Sequence, residues 1–185
     1  AKADALAVLG ACGAPVENLR VTRDAPGWYH PGRSGALGLG PNVLALFGEI
    51  HPGVLDAMGL AGPVAGFEVF LHRIPQPRAR SGKTRPPLNA SPFQPLGRDF
   101  AFVVDADVPA DSLVRAARGA DKALIGQVGV FDVYQGKGVG EGKKSIAIAV
   151  TLQPRERTLT DQDIEKVSAA IVAAVAKQTG GVLRG

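Results

Sequence analysis

The sequence predicts an α+β protein made of two units, and three observations support this prediction. A length of 185 residues with 45% hydrophobic residues suffices for one large domain or two small ones. The segment from Arg73 to Pro87 holds four prolines and five basic residues, a composition that cannot bury a core face. After this segment, strand and helix patterns follow one another regularly. We therefore expect a first unit at residues 1–90, which includes the basic segment, and a second at 91–185.

The first half shows mixed patterns without a complete layer. Asp4 to Cys12 has the spacing of an amphipathic helix, which predicts that Cys12 is buried. Apolar stretches and proline or glycine breaks predict strands at 35–39, 42–48 and 63–72 and a short helix from Pro52 to Gly59. Because the chain begins at Ala1 and enters a helix almost at once, we expect a piece of a longer chain. These elements would end a larger α/β or α+β domain.

The second half has a clearer order of elements. Strands are predicted at 98–105, 125–134, 144–153 and 181–184, helices at 109–118 and from Thr160 to Gly180, and a glycine-rich hairpin at 136–142. Thr160 and Asp163 have the spacing of a capping box, which marks the start of the second helix. The order β-α-β-β-α-β is that of a ferredoxin-like fold, an antiparallel four-stranded sheet with both helices on one face.

Strand alternation then predicts which residues face away from the helices. In the third strand Ile146, Ile148, Val150 and Leu152 point one way, and Ser145 and Ala147 point the other. On the second strand, alternation groups Val130, Asp132 and Tyr134. The helix-free set collected in this way is Ala101, Asp132, Tyr134, Ser145 and Ala147.

These side chains are small or polar, with one aromatic ring, which is typical of sheets that bind unstacked single-stranded bases. Tyr134 offers a stacking surface, and Asp132 and Ser145 offer hydrogen bonds to a base edge. Basic residues at strand ends and loops are candidates for phosphate contacts: Arg98, Lys137, Lys143, Lys144, Arg155 and Arg157. An ordinary solvated sheet face is the alternative that alternation alone leaves open.

Composition narrows the function classes further. The formal net charge of +4 permits a polyanionic partner but does not require one, and most of the excess lies in the basic segment. One cysteine, no apolar run of membrane length and no signal peptide predict a cytoplasmic protein. Ser81 to Thr84 ends like a phosphate-binding loop, but Pro77 stands where that motif needs glycine, so we interpret it as linker. The three histidines lack metal-ligand spacing, and no metal site is expected.

The second half resembles a known family. Phe131-Asp-Val-Tyr-Gln-Gly136, Gly142-Lys-Lys-Ser-Ile146 and Arg157-Thr-Leu-Thr-Asp161 are similar, in this order, to the ferredoxin-fold anticodon-binding domain of bacterial phenylalanyl-tRNA synthetase beta subunits. In the first half, Trp28 to Ser34 and Gly48 to Gly53 resemble the end of that subunit's catalytic-like core, a class II synthetase-like α/β core without activity.

The resemblance implies a function and a set of partners. Family enzymes are α2β2 heterotetramers that use ATP and Mg²⁺ to attach phenylalanine to tRNA(Phe), and the alpha subunit carries the active site. The resemblance further implies that Ala101, Asp132, Tyr134 and Ser145 face the anticodon, and it implies neither a DNA nor a membrane partner. We expect this chain alone to be non-catalytic and to hold no cofactor or metal.

Departures from the family pattern concern phosphate contacts. Gly97-Arg98 stands where a double arginine is common, and Gln135 where arginine is common. Two other functions remain open at this point: a stand-alone ferredoxin-like regulatory module and a general RNA-binding module.

Overall fold

The computed structural model describes residues 1–76 and 90–184, which belong to two compact units, residues 1–85 (unit 1) and 86–185 (unit 2). Each unit contains a four-stranded sheet, and every strand pairing described is antiparallel. Ser81 to Thr84 and most of the basic segment lie outside the described residues.

Unit 1 is a meander of strands with one helix packed on it. Its elements are α1 (Lys2–Ala11), β1 (Arg20–Thr22), β2 (Tyr29–Leu39), β3 (Asn42–Ile50), α2 (Pro52–Ala57) and β4 (Ala65–Val69), with 3-10 turns at Val16–Asn18 and Leu71–Arg73. The sheet order is β1-β2-β3-β4. Leu9 of α1 packs with Leu37 and Leu44 of the sheet in one buried cluster. Pro at the first position and the His51 ring, whose Nδ1 accepts from Gly53 N at 3.1 Å, fix the start of α2.

Several expectations for unit 1 are corrected by these elements. The described sheet is not of the parallel α/β kind, because a parallel pair needs a crossover of a dozen or more residues and the link from β2 to β3 is a tight turn at Gly40 and Pro41. Cys12 is exposed, because α1 ends at Ala11 and Cys12 is the residue that terminates it. The strand expected at 63–72 is shorter, and β1 was not expected.

Unit 2 has the order of elements that the sequence predicts. They are β5 (Leu96–Asp105), α3 (Ala110–Ala120), β6 (Ile125–Tyr134), β7 (Lys143–Leu152), α4 (Asp161–Thr179) and β8 (Val182–Leu183). The sheet order is β6-β7-β5-β8, so β7 and β5 are central and β6 and β8 are the edges.

Both helices of unit 2 cover the same face of the sheet. One buried cluster joins Leu113 of α3 and Ile171 of α4 to Phe102 of β5 and Ile148 of β7, all with no exposed surface. The predicted capping box of α4 is present, since Thr160 Oγ1 accepts from Asp163 N and the Asp163 carboxylate accepts from Thr160 N at 2.9 Å. This core leaves the opposite face of the sheet without a helix.

A bulge in β6 interrupts the alternation that the sequence suggests. Val130 pairs with Ile148 and Asp132 pairs with Ala147, so Phe131 is an extra residue on β6. Directly paired residues point to the same face. The prediction that Val130 shares a face with Asp132 is therefore wrong: Val130 lies on the side of Ile148, and Asp132 lies on the other.

Candidate nucleic-acid interface

The face of the unit 2 sheet opposite α3 and α4, which we call the open face, collects the small and polar residues in two adjacent rows. In the first row Ala101 pairs with Ala147, which in turn pairs with Asp132. In the second, Val103 pairs with Ser145, which pairs with Tyr134. The structure thus brings all five residues of the helix-free set onto one face, close to the hairpin that joins β6 and β7.

Tyr134 is the aromatic ring of these two rows, and its position is constrained from two sides. The ring keeps 41% of its surface exposed. Its hydroxyl donates to Lys137 O at 3.3 Å. Gly136 lies so close that a Cβ there would be 2.8 Å from the Tyr134 hydroxyl oxygen and 3.0 Å from Cζ. The hairpin backbone therefore limits where the phenol can lie, while part of the side chain stays exposed.

The polar residues beside Tyr134 differ in accessibility. Asp132 is exposed and lies at the end of a row whose other members are alanines. Ser145 retains only 5% of its surface, so its hydroxyl lies low in the face between Val103 and Tyr134. The Asp132 carboxylate can accept hydrogen bonds, and the Ser145 hydroxyl can donate or accept them. Both can therefore bind the edge of a base that lies over Ala101 and Ala147.

Three of the predicted phosphate-contact residues lie at the hairpin end of the sheet, near Tyr134. Lys137 is exposed in the hairpin. Lys143 is half-exposed and forms an ion pair with Asp105, with 2.7 Å between Nζ and Oδ1. Lys144 is buried, with 8% of its surface exposed, and its Nζ donates to Ala106 O at 2.8 Å. Burial and this bond argue against Lys144 as a phosphate contact, whereas Lys137 and Lys143 are both exposed.

The other three predicted residues lie away from Tyr134. Arg98 pairs with Val150, which places it on the helix-covered side of the sheet, opposite Ala101. Arg155 follows the far end of β7, and the seven residue steps from Ser145 to Leu152 span roughly 24 Å. Arg155 and Arg157 lie in the loop after β7, as predicted, whereas Arg98 lies within β5, where strand alternation places it on the face opposite Ala101.

Arg157 has a structural partner instead. Its guanidinium binds the Asp163 carboxylate with two hydrogen bonds of 2.7 and 2.8 Å, at the N-terminus of α4 on the covered side. This pairing raises the pKa of Arg157 and, together with hydrogen bonds from Thr160, lowers the pKa of Asp163 well below its usual range. Both groups thus stabilise the start of α4 rather than the open face.

Arg184 joins the open face from the opposite edge, and the sequence prediction missed it. Its backbone N donates to Ala101 O at 2.8 Å, so it continues the Ala101 row beyond β8. Its guanidinium carbon lies 6.0 Å from the centre of the Tyr134 ring. The sequence signal for this residue is that it stands two positions after Val182, so that alternation places both side chains on one face.

Unit 1 contains a separate polar cluster around Glu68. The Trp28 indole and the Tyr29 hydroxyl both donate to Glu68 Oε1, each at 3.1 Å. Tyr29 is buried, and desolvation followed by the hydrogen bond and charge of Glu68 raises the pKa of its hydroxyl to about 12. Trp28 keeps 49% of its surface exposed, although its indole is bound to Glu68. A tryptophan with one polar contact and an exposed ring is common at protein interfaces.

Within residues 1–76 and 90–184, no three His, Cys, Asp or Glu side chains come close enough together to hold a metal ion. In the same residues, none of the helices combines the length and apolar character required to span a membrane.

Comparison with known proteins adds family relationships to this geometry. The model of the ferredoxin-fold anticodon binding domain matches residues 91–184, and that of the phenylalanyl tRNA synthetase beta chain CLM domain matches residues 1–71. The chain is similar to the phenylalanine–tRNA ligase beta subunit of Bradyrhizobium diazoefficiens, with 59% identity over 185 residues, which is 100% of this chain and 23% of the relative. The beta subunit of Rhodospirillum rubrum is 58% identical over 183 residues, 99% of this chain and 23% of the relative. The chain thus spans about a quarter of the length of these curated relatives.

Proposed function

This chain belongs to the family of ferredoxin-fold anticodon-binding domains, here joined to the CLM domain of the phenylalanyl-tRNA synthetase beta chain, and we propose that the open face of unit 2 binds the anticodon of tRNA(Phe). The observation that carries the proposal is the pairing that aligns Ala101 with Asp132 and Ser145 with Tyr134 on one helix-free face. These are the four residues that the family resemblance assigns to the anticodon.

The proposed contact combines stacking with hydrogen bonding. A base stacks on the exposed side of the Tyr134 ring, which contributes about 1 to 3 kcal/mol. Ala101 and Ala147 leave room for the flat base to approach the sheet, and a larger side chain at either position would hold it away. Asp132 accepts from an amino group on the base edge, and Ser145 makes a hydrogen bond from beneath.

The phosphate backbone runs past the hairpin in this proposal. Lys137 and Lys143 lie at that end of the sheet and supply positive charge without reading the base. Lys144, Arg98, Arg155 and Arg157 are not part of the proposed contact, for the reasons of burial, facing, distance and pairing given above.

Unit 1 has a proposed role in assembly. We assign it to the inactive, class II synthetase-like core of a beta subunit, which packs on the alpha subunit of an α2β2 enzyme. The half-exposed Trp28 side chain supports a protein contact there, because tryptophan is enriched at interfaces. The whole enzyme would attach phenylalanine to tRNA(Phe) with ATP and Mg²⁺. Since the described residues offer no metal-binding group of side chains, we assign no step through Mg²⁺ to this chain.

Binding of anticodon stem-loop RNA to the 185-residue chain tests the proposal. Tyr134→Ala should weaken binding roughly 5- to 150-fold, the equivalent of about 1 to 3 kcal/mol. Tyr134→Phe is the matched control: it keeps the stacking ring and loses only the hydrogen bond to Lys137 O, so most of the affinity should remain.

A second comparison separates anticodon recognition from general RNA binding. Stem-loops with exchanged anticodon bases should bind more weakly than the tRNA(Phe) sequence, because Asp132 and Ser145 contact the base edge. Equal affinity for all sequences would favour a general RNA-binding module, and unchanged affinity in Tyr134→Ala would refute the assignment of the open face.

A further inference from the structure

Arg184 reaches across the width of the unit 2 sheet. It follows edge strand β8, and Tyr134 ends the opposite edge strand β6. Three strand spacings, about 14 Å, separate these edges. The guanidinium nevertheless lies 6.0 Å from the Tyr134 ring centre. The two side chains meet only because both lean over the central strands.

Small residues make this approach possible. Arg184 continues the row of Ala101 and Ala147, whose side chains are single methyl groups. A long aliphatic stem can lie over such a floor while its charged end stays in water. The guanidinium can therefore reach this position because the open face carries small side chains along this row.

The distance between guanidinium and ring leaves a gap. At Arg73 in unit 1 the guanidinium carbon is 4.3 Å from the centre of the Phe70 ring, which is direct contact. At Tyr134 the corresponding distance is 6.0 Å. Stacked bases are separated by about 3.4 Å, so a base between two flat groups needs about 6.8 Å. The existing gap is within 1 Å of that spacing, and rotation of an exposed arginine can supply the rest.

We propose that Arg184 forms the second wall of a base-binding slot: one nucleobase inserts between the Tyr134 ring and the Arg184 guanidinium. This inference rests on the proposed function and deepens it, because it adds a residue that holds the stacked base from the other side. The planar guanidinium stacks on the π surface of the base, and its charge lies next to the RNA backbone.

Arg184 as a wall of the slot differs from an ordinary phosphate contact in the side chain that it requires. A phosphate contact requires only charge, so lysine would replace arginine with little loss. A slot wall requires a flat group, so lysine would not suffice. If Arg184 instead occupied the base position in competition with RNA, its removal would strengthen binding.

The test measures binding of anticodon stem-loop RNA to the 185-residue chain and three variants. We expect Arg184→Ala to weaken binding roughly 5- to 10-fold, and Arg184→Lys to weaken it nearly as much. Arg115→Ala is the matched control, since it removes the same charge from an exposed arginine of α3 on the covered side. The stem-loop RNA is also prepared in further versions, each with an abasic nucleotide at one of the anticodon positions. One of these positions carries the base that inserts into the slot. When that base is absent, wild type and Arg184→Ala should bind the RNA with equal affinity, because the contact between Arg184 and the base is already lost.

Three results would overturn the slot: equal or tighter binding by Arg184→Ala, restored binding by Arg184→Lys, or an Arg184→Ala defect that persists at every abasic position. Tyr134→Ala distinguishes this failure from failure of the proposed function. If Tyr134→Ala weakens binding while Arg184→Ala does not, only the slot fails. If neither variant changes binding, or if wild type does not bind the stem-loop, both fail.

Discussion

Gly136 is the residue through which the position of the Tyr134 ring is most directly tested. Gly136→Ala would place a Cβ 2.8 Å from the Tyr134 hydroxyl oxygen. Ordinary contact begins at 3.4 Å, so the tip of the phenol must retreat by about 0.6 Å, the difference between these distances. The hydrogen bond to Lys137 O is already 3.3 Å long, and we expect the shift to break it.

The expected effect is a loss of affinity without a loss of stability. A displaced ring keeps part of its stacking energy, so we expect anticodon stem-loop binding to fall roughly 2- to 5-fold, a fraction of the full stacking contribution. The ring is exposed and can rotate, so the core is untouched. Alanine also restricts the unfolded chain, which stabilises by about 0.4 to 1 kcal/mol where the backbone allows it.

Titration of labelled stem-loop RNA and thermal unfolding measure the two effects. Gly129→Ala is the matched control, because Gly129 lies in β6, the strand that ends at Tyr134, and a Cβ there would meet nothing within 4 Å. It lies about 17 Å along the strand from Tyr134. Identical affinities for Gly136→Ala and Gly129→Ala would refute the claim that the hairpin backbone positions the ring.

Two other predictions concern the hairpin and unit 1. Lys137→Ala should reduce the slope of log affinity against log salt concentration by roughly 0.7 to 0.9, which is the contribution of one phosphate contact. It should weaken the binding of all RNA sequences alike. An unchanged slope would exclude Lys137 as a phosphate contact. In unit 1, burial and the hydrogen bond to Glu68 raise the pKa of the Tyr29 hydroxyl in the folded state from the ordinary 10.0 to about 12. Its contribution to stability is therefore complete below pH 10 and is lost as the pH rises from 10 to 12. Chemical denaturation across that range should show a smaller alkaline loss for Tyr29→Phe than for wild type, and equal losses would contradict the shifted pKa.

The sequence predicted the order of elements in unit 2 because those patterns are local. The capping box of Thr160 and Asp163 involves residues three apart, and the alternation from Ser145 to Leu152 belongs to one uninterrupted strand. Each can be read without knowing what lies opposite. For the same reason Ala101, Asp132, Tyr134 and Ser145 could be placed on one face before any pairing was known.

Alternation failed where pairing with a neighbour decides the outcome. The bulge at Phe131 moves Val130 to the covered side, and only the ladder between β6 and β7 specifies it. Unit 1 was harder throughout: the end of α1 at Ala11, not its apolar spacing, decides that Cys12 is exposed.

The sequence by itself determined the fold of unit 2, the family and the five residues of the helix-free set, since composition, periodicity and short motifs carry that information. Only the tertiary structure decided what the long charged side chains do. Lys144 is buried against Ala106, Arg157 is paired with Asp163, and Arg184 crosses the sheet towards Tyr134. The end of a flexible side chain reaches groups that are remote in sequence, so its partner is fixed by strand order and packing rather than by its neighbours along the chain.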